Sequence, residues 1–349
     1  MQTFSRRQIM TFSMVIAIAM VMAIVILWRQ YQTFVRTPLN LPQDGMTYLL
    51  KKGTGLGSFS ADLYRKKIIS SLGYFRLLAQ LQGQAKQLRA GEYFFASGLL
   101  PGQLLEMVTK GKVAQHSFTI IEGWNMATLL AAIGQRPDIE HTLENVDLAS
   151  KKGLRHLAEI FNLPTEHPEG WFMPETYFFT LGMSDKQILQ RATADMQSYL
   201  DKAWRHRDKG LLLKGPYEAL ILASLIEKET GQADERQKIS GVFHLRMQKH
   251  MRLETDPSVI YGMGDEYDGN IRKRDLRKDT PYNTYTRHGL PPTPIAMPGK
   301  AAIQAALHPI MNGSLYFVAK GDGSHEFSKD LKSHLKAVRI YQLGKRHAH

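Results

Sequence analysis

Two glutamates, Glu227 and Glu229, stand at the end of an apolar run that begins at Ala219 and stops at Gly231. Up to the first carboxylate, Ser224 is the only polar residue in that run. Pro216 opens the segment and Gly231 closes it, which are the start and stop signals of a buried helix. On such a helix Glu229 falls on the face of Leu222, Leu225 and Ile226, so it extends a stripe that faces a core. Glu227 follows Leu220 and Ala223 on a different face. A carboxyl on an apolar stripe loses hydration, and the helix C-terminus carries partial negative charge. Both effects favour the protonated form, which a general acid needs near neutral pH. The competing interpretation of Glu-Lys-Glu is a solvated last turn.

The elements that must position these carboxylates lie in a chain of 349 residues, 43 % hydrophobic, long enough for two soluble units. Gln8 to Trp28 is a charge-free run long enough to cross a bilayer as one helix. Arg6 and Arg7 precede it, so residues 1–7 are expected as a cytoplasmic tail, with everything after the span exported. The far end of the run, Ile24 to Trp28, lacks a small-residue cleavage site, which favours an uncleaved anchor over a signal peptide. Residues 29–45, with Pro38, Pro42 and Gly45, are expected as a linker.

The chain has no cysteine, which excludes a disulfide framework, a thiol nucleophile and thiolate metal sites. A net charge of +13 suits an anionic surface such as acidic lipid or cell wall. Nucleic acid is not expected as a partner, because no aromatic-plus-basic recognition motif is present.

From Met46 a small α+β module is expected. Met46–Leu50 and Gly91–Phe95 read as strands, with helices near Phe59–Leu72 and Gly73–Gln82 between them and another from Pro101 to Gly111. Glycines 53, 55 and 57 form a turn, since no lysine-serine pair follows them. Ser117–Gly123 reads as a strand, and Asn125 as the cap of a helix starting near Met126. Residues 137–165 are expected to be mostly helical. Pro168–Phe179 is aromatic-rich and punctuated by Pro and Gly, so it cannot be one regular element. A long helix is expected over Ser184–Asp208 and another over Asp234–His250. Beyond that the chain is expected to be irregular from Thr255 to Gly299, as functional loops often are, before a hairpin of Ser314–Ala319 with His325–Ser328.

Thirteen histidines raise the question of a metal, but none sits in a His-Glu-x-x-His arrangement. His308, His325 and His334 read as structural hydrogen-bonding residues, and His347 and His349 as part of a frayed tail. No Gly-x-Ser-x-Gly elbow is present, and Ser224 should bond the preceding helical turn. No cofactor is expected. A sugar site fits better: Tyr261, Tyr282, Tyr285 and Trp171 offer flat faces for pyranose rings, and Asn283 and Thr284 offer hydroxyl-matching polar groups. Each of these equally suits core packing.

Taken together and in order, these segments resemble the YceG-like family of endolytic murein transglycosylases. The matching stretches are Ala223–Glu229, Thr255–Gly262, Tyr282–Tyr285, Gly289–Pro292 with Pro294–Ile295 and Pro298–Gly299, and Leu315–Ala319 with His325 and Phe327. Pro168–Phe172 and Pro174–Tyr177 also fit, and the likeness runs from about residue 40 to 340. The resemblance implies an inner-membrane protein whose periplasmic domain cuts nascent peptidoglycan glycan strands internally. It implies an α+β architecture: anchor 8–28, a LysM-like module over 46–112, and a catalytic domain over 113–345 that contains the buried glutamate helix. It places the essential acid at Glu229, with Glu227 the alternative. Asp256, Ser258, Tyr261, Asn283, Thr284, Tyr285 and Trp171 are the expected substrate contacts. Peptidoglycan synthases are possible partners. Two other functions are compatible with the chain: a lysozyme-like hydrolase with Asp256 as second carboxylate, and a non-enzymatic wall-binding scaffold.

Overall fold

A computed structural model describes residues 6–143 and 146–343, and the chain divides into two compact units between His116 and Ser117 rather than at 112/113. The expectations for the terminal tails fall largely on residues 1–5 and 344–349, which lie outside the described residues.

The first unit opens with helix α1, Arg6–Arg36. Within Met10–Arg36 an 18-residue window has a mean hydropathy of 2.7, and the helix is long and apolar enough to cross a membrane. The expected linker over 29–45 is corrected here. The helix continues to Arg36, and Tyr31, Phe34 and Leu39 are buried in the core of this unit. Tyr31 and Phe34, one turn apart, both pack against the ring of Tyr74, and Pro38 then forbids further helix. Strand β1 (Met46–Leu50), helices α2 (Leu56–Arg65) and α3 (Leu72–Leu81), strand β2 (Gly91–Phe95) and helix α4 (Pro101–Lys110) follow. β1 and β2 pair antiparallel, with Tyr48 opposite Tyr93. Alternation along the strands turns Tyr48, Leu50, Tyr93 and Phe95 inward onto Phe59, Leu63 and Phe75 of the helices.

The second unit begins within β3 (His116–Thr119) and continues through α5 (Met126–Gly134), α6 (Lys151–Ile160) and β4 (Thr176–Phe179), which pairs with β3. Asn125 caps α5 by accepting from the Thr128 N–H. Among the described residues of the expected helical stretch 137–165, only Lys151–Ile160 is helical. Instead, the backbone N–H groups of Thr142 and Leu143 donate to the carboxylate of Asp185, which holds that loop open. The chain continues through α7 (Asp185–Arg205), α8 (Pro216–Glu229), α9 (Arg236–Gln248), α10 (Asp256–Met263), α11 (Lys273–Arg277) and α12 (Lys300–Leu307). It closes with β5 (Tyr316–Ala319), β6 (His325–Ser328) and α13 (Leu331–Val338).

Helix α8 is the centre of this unit. Every residue from Ala219 to Ile226 is buried, and α7, α9, α10 and α12 all pack against it. Burying one Leu or Ile contributes about 1.5–3 kcal/mol, so the five of them in α8 hold its C-terminal carboxylates on a rigid base. Ser224 satisfies its hydroxyl twice, donating to the Ile221 carbonyl and accepting the Ile295 N–H. The stretch from Thr255, expected to be irregular, carries helices α10 and α11. Pro257 sits in the first turn of α10, where a missing N–H costs nothing.

Candidate active site

Glu229 is the last residue of α8, and Thr230 turns the chain out into extended backbone. Its side chain is partly buried and accepts a hydrogen bond from the Thr255 hydroxyl. Lost hydration is the largest influence on the carboxyl and pushes its pKa up to about 7. The Thr255 bond opposes that rise, the nearby Asp256 charge adds to it, and His325 opposes it. The group is therefore an acid that keeps its proton close to neutrality.

Glu229 opens onto a cavity of about 430 Å³ whose wall includes Asp256, Tyr285, Glu254, Arg246 and His325. Asp256 begins α10 and accepts the Tyr285 hydroxyl at 2.6 Å. Burial and that bond to Asp256 raise the Tyr285 pKa, so the phenol stays protonated and remains a donor. Arg246 spans the back of the cavity. Its guanidinium donates to the carbonyls of Leu315, Arg252 and Leu253 and to the Glu254 carboxylate, which ties α9 to the chain ahead of β5.

Glu227, two residues back, faces elsewhere. Its carboxylate accepts the Gly299 N–H at 3.0 Å and lies 3.8 Å from the Arg236 guanidinium, and it does not line the Glu229 cavity. Burial raises its pKa as well. The helical geometry thus separates the pair: one carboxyl opens on a cavity and the other is bonded into the fold.

Several residues expected to touch substrate instead support the site. Ser258, Asn283 and Thr284 are buried. The Thr284 hydroxyl accepts the Thr255 N–H, and the Ser258 hydroxyl lies 2.9 Å from it while donating to the Thr255 carbonyl. This small network fixes the residue that bonds Glu229. The Asn283 amide donates to the carbonyls of Asp275, Leu276 and Lys278, and its oxygen accepts the Tyr285 N–H. Asn283 therefore orients Tyr285, with no donor left for a sugar. Trp171 is 4 % exposed, lies parallel to the Tyr217 ring at 5.8 Å and donates its indole N–H to Thr165. The expectation that it is a sugar platform is corrected: both its faces are in the core. Tyr261 lines a second cavity, of about 780 Å³, and donates to the buried carboxyl of Glu169, which also accepts the Met126 N–H at the start of α5. Burial pushes the Glu169 pKa up to about 7.

His325, read from sequence as structural, stands in the wall of the Glu229 cavity and is bonded to Glu235. Ninety residues separate the two in sequence, so no spacing pattern could pair them. His308 pairs with Asp208, and His334 stacks on Tyr316. Among the described residues no group of three or more His, Asp or Glu side chains is placed to hold a metal ion.

The sequence model of the YceG-like family matches residues 49–340, most of the chain. The chain belongs to the YceG-like family. Among its relatives, a protein of Bacillus subtilis named endolytic murein transglycosylase is 31 % identical over 84 % of this chain and 83 % of its own length. A protein of the same name from Streptococcus pneumoniae is 26 % identical over 66 % of this chain and 46 % of its own length. The crystal structure of a YceG-like protein from Listeria monocytogenes, 28 % identical, superposes with a TM-score of 0.52 over 85 % of this chain and all of that one. In this YceG-like chain the cavity combines one neutral carboxyl, a carboxylate–tyrosine pair and a carboxylate–imidazole pair. That set can donate a proton, bind hydroxyl groups and accept a proton.

Proposed function

We propose that this chain is a membrane-anchored endolytic murein transglycosylase with Glu229 as its proton donor. The observation that carries the proposal is a carboxyl held neutral up to about pH 7 on a cavity wall, in a chain whose relatives are named for that activity. Protonated Glu229 donates to the glycosidic oxygen between N-acetylmuramic acid and N-acetylglucosamine. As that bond breaks, the muramyl 6-hydroxyl attacks C1 and closes a 1,6-anhydro ring, so no water is consumed. The hydroxyl proton is finally returned to Glu229, which serves as acid and then as base. Holding the intramolecular nucleophile in place substitutes for a second catalytic carboxylate and can supply several kcal/mol. Tyr285 and Asp256 are the groups best placed to orient the sugar, since both line the same cavity.

Anchoring follows from α1, which would leave the N-terminal tail in the cytoplasm and hold the catalytic unit outside the inner membrane, facing nascent glycan. The strand–helix–helix–strand layout over residues 46–112 supports a LysM-like module there, a fold associated with N-acetylglucosamine polymers. Peptidoglycan synthases are the natural partners of such an enzyme. Asp256 as a base would instead make the enzyme a hydrolase; its place in the cavity favours that second possibility, and its bond from Tyr285 disfavours it.

The test compares Glu229→Gln with Glu227→Gln on purified glycan strands. Cleavage abolished in the first and kept within about tenfold in the second supports the assignment. Normal cleavage by Glu229→Gln would refute it.

A further inference from the structure

The cavity that holds Glu229 also holds a group built to accept a proton. His325 opens β6, and its Nδ1 lies 2.7 Å from Oε2 of Glu235. The backbone N–H of His325 donates to Oε1 of the same carboxylate at 2.8 Å. Both side chains are nearly buried, 11 % exposed for His325 and 7 % for Glu235. The Phe317 ring meets the imidazole edge-on at 5.4 Å, which further limits its rotation. Two bonds to one buried carboxylate fix the ring orientation and put the proton of the neutral imidazole on Nδ1. Nε2 therefore carries the lone pair, on a side chain that lines the cavity Glu229 shares. A carboxylate behind an imidazole holds the reactive tautomer and stabilises the imidazolium once it forms.

We propose that His325, oriented by Glu235, is the base that takes the proton of the muramyl 6-hydroxyl. This rests on the transglycosylase reading above and changes only its base step: the hydroxyl proton reaches Glu229 through His325 rather than directly. Glu229 gives its proton to the glycosidic oxygen, and the C1–O bond breaks with its electron pair going to that oxygen. A lone pair of O6 forms the new bond to C1, and the O6 proton passes to Nε2 of His325. The imidazolium then hands that proton to the Glu229 carboxylate, which restores both groups without water or any co-reactant. Glu229 thus need not reach both the leaving oxygen and O6 in one bond-breaking event. The charges acting on His325 are Glu235 in direct contact, Glu229 and Asp256 across the cavity, Arg246, Glu254, Tyr285 and His334 along its wall, and its strand neighbour Glu326.

His325→Asn in the full-length protein keeps an N–H for Glu235 at the Nδ1 position and removes Nε2. The expected result is a fall in kcat of about 100-fold or more, the scale of losing a general base, with KM changed less than about threefold. Glu235→Gln should cost about tenfold, and added imidazole should restore part of the activity of His325→Ala. A purely structural role would not produce that rescue, and rescue can be read even if the asparagine variant folds poorly. Cleavage within about threefold of wild type in His325→Asn, or no rescue of His325→Ala, would overturn the proposal. A wild-type protein that makes no anhydro ends would overturn the transglycosylase reading instead.

Discussion

The raised pKa of Glu229 should make wild type lose more stability than Glu229→Gln as pH rises past neutrality. Glu229 has an ordinary carboxyl pKa of 4.5 when unfolded and about 7 when folded. The folded chain therefore holds its proton more tightly than the unfolded chain does. The stability linked to that proton is fully present below pH 4.5 and is lost as pH rises through 7. At about 1.4 kcal/mol per pH unit, the gap between the two values corresponds to about 3 kcal/mol over the full range. Between pH 5 and pH 8 roughly 2 kcal/mol of it is lost. Glutamine at position 229 keeps the shape and cannot ionise, so Glu229→Gln escapes this loss. Glu169, also held near 7, titrates in both proteins and cancels in the difference. The assay is urea denaturation of the full chain in detergent at pH 5 and pH 8. Tryptophan fluorescence is the signal, because Trp171 is buried in the unit concerned. Wild type should lose about 2 kcal/mol more than the variant between the two conditions. Parallel pH dependences in the two proteins would refute the claim that Glu229 is desolvated.

Three further outcomes follow. Thr255→Val removes the bond that favours ionised Glu229, so the alkaline limb of the pH–activity profile should move to higher pH; a downward move would contradict the assigned bond direction. Gly241→Ala should destabilise by about 1–3 kcal/mol in the same denaturation assay, because a Cβ there would stand 2.0 Å from the Ile310 carbonyl oxygen. Trp171→Phe keeps the stack on Tyr217 and loses the bond to Thr165. It should cost about 1 kcal/mol of stability and leave KM for glycan unchanged, whereas a raised KM at full stability would restore Trp171 as a sugar contact.

What could be read from sequence was what short-range chemistry controls. The α8 stripe, the caps at Asn125 and Ser224's back-bonding depend on neighbours within one or two turns, and they stand where the residue pattern placed them. The separation of Glu227 from Glu229 was legible for the same reason, since helical periodicity alone sets it. Burial decided the rest. Trp171, Asn283 and Thr284 have the chemistry of sugar contacts, but long-range packing encloses them, and nothing in their own segments records that. The pairing of His325 with Glu235 joins a hairpin strand to the start of a helix ninety residues earlier. Prolines misled at the start of the first unit: Pro38 and Pro42 looked like a linker although Tyr31 and Phe34 before them and Leu39 between them are core.

The most direct measurement is the chemistry of the chain ends formed when the full-length protein cuts long glycan strands. Mass spectrometry of the products should show internal fragments ending in 1,6-anhydro-muramic acid, absent with Glu229→Gln. Reducing ends in their place would contradict the account and point to hydrolysis with Asp256 as the base. Intact strands with the wild-type protein, under conditions where it binds them, would leave a wall-binding scaffold and no enzyme.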